Sequence, residues 1–198
     1  MICNTLHHGA CSRNPGVDTM QPMLEVQPAP LALVVDVING WSDRVRRESG
    51  EEGDPYPDLG ALAVTHGWST HMVPNDRLGA LADGLHPVFA GTSPDVRRGA
   101  LNLAVRALAP TPQQSAQGPV WSGIDPERHL EAGLLFALVE HARDDADLVR
   151  LGACEADHCV DTYVDSSRPG TRRFCSLTCQ NRARVAAFRQ RSRTVQAR

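Results

Sequence analysis

Two close cysteine pairs near the C-terminus constrain this chain more than any other feature: Cys154 and Cys159, then fifteen residues, then Cys175 and Cys179. Each pair can place two sulfurs at about 2.3 Å from one metal, and four thiolates close a tetrahedral zinc site. The rival arrangement is a set of disulfides, which belongs to oxidising compartments and to chains that carry a secretion signal. The N-terminus, M-I-C-N-T-L-H-H-G-A-C, holds no apolar run long enough for such a signal. No segment approaches the roughly 18 apolar residues of a membrane span. The expectation is therefore a cytoplasmic chain with one structural Zn2+ held by Cys154, Cys159, Cys175 and Cys179. The spacings, C-x4-C and C-x3-C, are looser than the usual knuckle. His158, beside Cys159, is expected next to the site or facing solvent, because four thiolates already complete it.

Charge separates the same region from the rest. From Ser166 to Arg198 there are nine arginines (168, 172, 173, 182, 184, 189, 191, 193 and 198) and no acidic residue. The other eleven arginines face all 23 acidic residues, so a tail of +9 is joined to a body of −12. Such asymmetry is associated with nucleic-acid binding, the acidic part staying off the phosphates. The chain has no lysine, which fits an Arg-, Ala-, Gly- and Pro-rich composition and need not reflect guanidinium chemistry.

At 198 residues the chain can build one sizeable core and a small appendage. Residues 1–23 are polar and turn-rich, a disordered lead or an over-extension with Met20 or Met23 as the true start. Cys3, Cys11, His7 and His8 are read there as bystanders. The β-branched run Leu31–Ile38 predicts a buried strand ended by Asn39-Gly40, with a short helix as the other reading. Asp36 and Asn39 either bridge neighbouring backbone or line a ligand pocket. Residues 42–57 are expected to be a charged loop.

Helices are predicted over about 58–66 (capped by Asp58, stopped by Gly67), 76–90, 95–109 (Ser93-Pro94 start) and 126–143 (Asp125-Pro126 start). Their inward stripes would be Leu78, Leu81, Leu85, Val88 and Phe89; Val96, Leu101, Val105 and Leu108; and Leu130, Leu134, Leu135, Leu138 and Val139, with a break near Pro87. Residues 110–120 read as a loop. Arg97, Arg98 and Arg106 read as a solvated face, His129 and His141 as surface residues, and Trp41, Trp68 and Trp121 as core or core-edge packing. None of the familiar catalytic or nucleotide-binding motifs occurs, so the body is not read as an enzyme.

Past Asp147, Val160–Val164 alternates and suits a hairpin strand between the cysteine pairs, with Ser166, Ser167, Pro169 and Gly170 as its turn. Cys175 then falls before or within the first turn of a C-terminal helix, with Cys179 one turn further on the same face. Val185 and Phe188 are spaced to pack inward. Arg182, Arg189 and Arg193 share one stripe, and Arg184 and Arg191 an adjacent one.

The run Cys154…Cys159, Tyr163-Val164-Asp165-Ser166-Ser167-Arg168 and Arg172-Arg173-Phe174-Cys175-Ser176-Leu177-Thr178-Cys179-Gln180-Asn181-Arg182 resembles the CGNR zinc-finger family of bacterial proteins. Gln180 stands where that family has glycine and Phe174 where it has tryptophan; neither is a ligand position. The segment L-x-L-V-V-D-x-x-N at 31–39 resembles, over a short stretch, the start of the ABATE domain that precedes this finger. The resemblance implies a stress-induced transcription regulator with an ABATE-like domain over 24–147 and a zinc finger over 148–193. The expected class is α+β: a mainly helical N-terminal domain with a short β element, then a β-hairpin and a basic helix.

On this reading the partner is double-stranded DNA. Arg172, Arg173, Arg182, Arg184, Arg189 and Arg191 would contact phosphates or guanine edges, and Asn181 would contact adenine or brace the finger. The body would sense a small-molecule effector or form a homodimer, with no membrane involved. The alternative is a zinc-stabilised protein-interaction module whose basic helix docks on an acidic surface. RNA is less well served, since Phe174 and Phe188 are the only aromatic residues near that helix.

Overall fold

A computed structural model describes residues 26–115, 118–122 and 124–196; the N-terminal lead with Cys3, Cys11, His7 and His8 lies outside the described residues. The fold is mainly helical, with two small antiparallel hairpins. At its centre is α1 (Leu31–Trp41), a helix in place of the expected strand. Its buried residues are Leu33, Val34, Val37, Ile38 and Trp41, one helical stripe at i, i+1, i+4, i+5 and i+8. That stripe packs against two later helices, α4 (Asn75–Ala90) and α6 (His129–His141). The packing outweighs the strand preference of its β-branched residues, and the helix runs straight through Asn39-Gly40.

The expected loop at 42–57 contains α2 (Asp43–Ser49). Ser42 caps it by accepting from Val45 N at 3.2 Å, and Gly50 ends it at φ +80°. Ser42 also donates to Asp83 Oδ1 at 2.6 Å, tying α2 to the next layer. Arg46 is buried, its guanidinium 4.3 Å from the Tyr56 ring centroid and its N–H groups on the carbonyls of Gly40 and Asp54.

The remaining body helices follow the predicted starts and stops. Besides α4 they are α3 (Leu59–Thr65, capped by Asp58), α5 (Pro94–Leu108, capped by Ser93) and α6, which follows a 3-10 turn at Pro126–Arg128. Pro87 sits inside α4 without breaking it. Leu81 and Val105 are half-buried against the core, whereas Val96 (52 % exposed) and Val139 (37 %) face solvent at helix ends the core does not reach. From Leu130 to Leu138 α6 is buried all round, and its buried Glu131 is neutralised by Arg77 and Arg128, each at 2.7 Å. Gly133 allows this depth: a Cβ there would lie 2.7 Å from the Trp68 ring.

Three further expectations are corrected. Residues 110–120 are not a loop: β1 (Thr111–Ser115) pairs antiparallel with β2 (Gly118–Ser122), held by a backbone ladder that a sequence without an apolar alternation does not advertise. The side chain of Trp121 lies outside what is described. His129 and His141 are half-buried, His129 stacked on Trp68 with centroids 6.1 Å apart, because their helix is enclosed on all sides. Arg97 is not solvated: it donates to the carbonyls of Gly91 (2.8 Å), Leu148 and Leu151. Replacing Arg97 with methionine strips three carbonyls of their donor. We expect a loss of about 2–3 kcal/mol in urea unfolding; a change below about 0.5 kcal/mol would show these bonds to be idle.

Past α7 (Asp145–Leu148), β3 (Leu151–Ala153) pairs antiparallel with β4 (Thr162–Val164). The hairpin partner of the predicted strand thus lies before the first cysteine pair, not between the pairs. Leu148, Leu151 and Val164 join the body's core, so the hairpin is built onto α1 and α4. The last element is α8 (Leu177–Gln196). Among the described residues, no helix is long and apolar enough to cross a membrane.

Candidate metal centre

The β3–β4 hairpin brings the first cysteine pair into one loop. Cys154 N donates to Asp161 O at 2.8 Å, closing the loop, and His158 takes φ +58° at its tip, where it is exposed. A second segment, Arg172–Ser176, is laid against it, with Glu155 N donating to Arg173 O at 3.0 Å. Ser176 then starts α8, its Oγ accepting from Cys179 N at 3.2 Å, so Cys179 sits in the first helical turn.

The four sulfurs converge. Cys159 and Cys175 Sγ are 3.6 Å apart, Cys175 and Cys179 Sγ 3.5 Å, and all four lie within 4.8 Å of one another. Tetrahedral zinc at about 2.3 Å from each sulfur requires edges of about 3.8 Å. These are four free thiols, none disulfide-bonded, and three of them are buried. The set fits one Zn2+, which would serve there as a structural cross-link.

Burial raises the Cys159 thiol and pushes the Cys175 thiol up to about 12. For Cys179 burial also acts upward, but hydrogen bonds from Ser176 and the neighbouring thiols outweigh it and lower the thiol. Enclosed sulfurs of this kind hold their protons until a dication compensates the thiolate charge.

Residues 150–192 match the CGNR zinc finger family. The match takes in all four cysteines of the finger and the first sixteen residues of α8. No curated protein matches the chain significantly.

Several residues that hold no metal shape the finger; Tyr163 and Asp165 fall in the family-like run, whereas His86 carries no such signal in sequence. Tyr163 is buried beside Gly152, where a Cβ would lie 2.5 Å from its ring, and its hydroxyl donates to Arg172 O at 2.6 Å. Asp165 accepts from Ser167 N (2.9 Å) and Arg172 N (2.8 Å). Burial alone would raise this carboxyl, but those bonds and the Arg150 charge hold it below its ordinary range. His86, buried in α4, donates from Nε2 to Val160 O at 2.9 Å, and burial keeps it neutral. Asn39 clasps Thr162 through three hydrogen bonds, and Asp36 pairs with His66 at 2.7 Å. Asn39 thus bridges backbone as expected, whereas Asp36 bonds a side chain, and both border a groove of about 790 Å3 between α1 and the finger.

The arginines named from sequence divide by position. Arg172, exposed, lies 4.7 Å over the Tyr163 ring centroid and donates to the carbonyls of Val164, Phe174 and Cys175, bracing the finger along its surface. Arg173 is paired with Glu155, and Arg182 donates to Asp157 O at 3.1 Å. Asn181, Arg184, Arg189 and Arg191 are exposed along α8. Val185 and Phe188, expected to pack inward, are 48 % and 64 % exposed. The correction has a simple cause: from Asn181 to Arg191 no residue of α8 is buried, so the helix stands clear of the body.

Proposed function

We propose that this protein is a DNA-binding transcriptional regulator in which the zinc finger presents α8 to duplex DNA. The observation that supports this reading most is the anchoring of a helix with five arginines and no acidic residue by a four-cysteine site at its first turn. An exposed cationic helix held at its first turn is complementary to a polyanion. Residues 24–147 would then be an ABATE-like sensing or dimerising domain without catalytic activity. The groove between α1 and the finger, bordered by Asp36, Glu51, Asp161 and Arg182, would be the seat of a small-molecule effector. Such a chain would work in the cytoplasm.

The test is duplex binding by the zinc-quantified protein across a salt series, beside an Arg189→Ala/Arg191→Ala variant. The expected result is affinity that falls with salt, and a log–log slope shallower in the variant by about 0.9 for each phosphate it no longer neutralises. Stoichiometric zinc with no duplex affinity at low salt would overturn the reading. It would point instead to the finger as a protein-interaction module.

A further inference from the structure

Viewed down α8 at about 100° per residue, Asn181, Val185 and Phe188 fall on one narrow strip, at i, i+4 and i+7. Arg182 and Arg189 flank the strip on one side, and Arg184 and Arg191 on the other. Cys179 lies nine residues, or about two and a half turns, before Phe188, which places the metal site on the opposite side of the helix. The finger therefore holds α8 at its first turn with the strip on the side away from Cys179, in keeping with the exposure of Asn181, Val185 and Phe188.

An exposed valine and phenylalanine between two rows of arginine need an occupant that is apolar in the middle and anionic at both edges. A second α8 does not qualify, because pairing would bring ten arginines together with no acid on either helix. The major groove does. It is about 12 Å wide, admits a helix of about 10–12 Å diameter, carries phosphates along both rims, and exposes the C5-methyl of each thymine on its floor.

We propose that Val185 and Phe188 read thymine methyl groups in the major groove, with Asn181 on a neighbouring adenine, while the two arginine rows hold the phosphates on either rim. The proposal rests on the DNA-binding reading above and assigns its base preference: A·T pairs opposite the middle of α8. The arginines that flank the strip supply affinity, and the apolar pair supplies discrimination.

The experiment uses the full-length, zinc-loaded protein and a duplex selected from a random pool. Thymines in the selected site are replaced one at a time by deoxyuracil, which removes only the methyl group. We expect affinity to fall about fourfold for each contacted methyl. A Val185→Ala/Phe188→Ala variant, with zinc content and helicity unchanged, should lose the same affinity on the thymine duplex and be indifferent to the replacement. Equal, salt-dependent binding of thymine and deoxyuracil duplexes would overturn the inference while leaving DNA binding intact. Absence of duplex binding altogether would remove the reading it rests on. A dimer in sedimentation that Phe188→Ala dissolves would also overturn it, by showing the strip covered by another copy.

Discussion

Stripping the zinc, or replacing Cys159 with serine, is expected to unfold the cysteine half of the finger and leave the helical body standing. The reason lies in what each half buries. Around the sulfurs the buried apolar residues are Cys154, Ala156, Cys159 and Cys179, with Phe174 and Cys175 half-covered. So few small side chains cannot offset the chain entropy of the two segments they join. Structural zinc contributes about 10–16 kcal/mol in isolated finger peptides at neutral pH, so its loss exceeds any local reserve. Leu148, Leu151 and Val164, by contrast, belong to the body's core and do not depend on the metal. Hydrogen exchange after chelation should show residues 154–161 and 172–182 losing protection, with α1 and α4 retaining theirs. Full protection of the finger after verified zinc removal would refute the cross-link role.

The same site sets a pH dependence. Because burial raises the Cys159 and Cys175 thiols, both are protonated in the metal-free fold at neutral pH, and zinc must displace those protons. Zinc affinity should therefore fall on acidification, by about tenfold per pH unit for each proton displaced.

How much of this is legible in the sequence follows from which physical signals are local. Cysteine spacing, Ser93-Pro94, Asp58 and Gly67 act through the backbone within a few residues, and the structure places each where the spacing predicts. The strand reading of Leu31–Ile38 fails because β-branched propensity is a weaker signal than the period: the buried set at 33, 34, 37, 38 and 41 carries the helical repeat in the sequence itself. Ser42 and Gly50 likewise frame α2 by their own chemistry, hidden within a run of charges. The burial of Arg46 and His86 and the half-burial of Arg97 leave no such trace, since each is decided by carbonyls that folding brings near. Val185 and Phe188 differ from expectation for the converse reason. Helical spacing shows that two residues share a face, but only the surrounding fold decides whether anything packs against it.

Asn39→Ala is expected to be the most damaging single substitution outside the metal site and the apolar core. Asn39 Nδ2 donates to Thr162 O at 3.0 Å, while its Oδ1 accepts from Thr162 N at 2.7 Å and Thr162 Oγ1 at 3.0 Å. Thr162 is 1 % exposed, but both residues border the groove between α1 and the finger, so water can reach only the Asn39 side of the gap. Three part-buried hydrogen bonds lost together cost about 2–4 kcal/mol in total, since each accounts for about 0.5–1.5 kcal/mol and they share one site. Asn39→Asp separates the parts of this clasp: its carboxylate still accepts from the Thr162 N–H and hydroxyl but sets a second oxygen against the Thr162 carbonyl, so this variant too should be destabilised. Zinc content should be unchanged in both variants, because no ligand touches Asn39. The readout is hydrogen exchange at residues 162–164 together with urea unfolding. Early loss of protection there, ahead of α4, would mark Asn39 as the clasp that fixes the finger, and hence the aim of α8, relative to the body. Unchanged protection would mean that His86 and the shared core hold the hairpin without it.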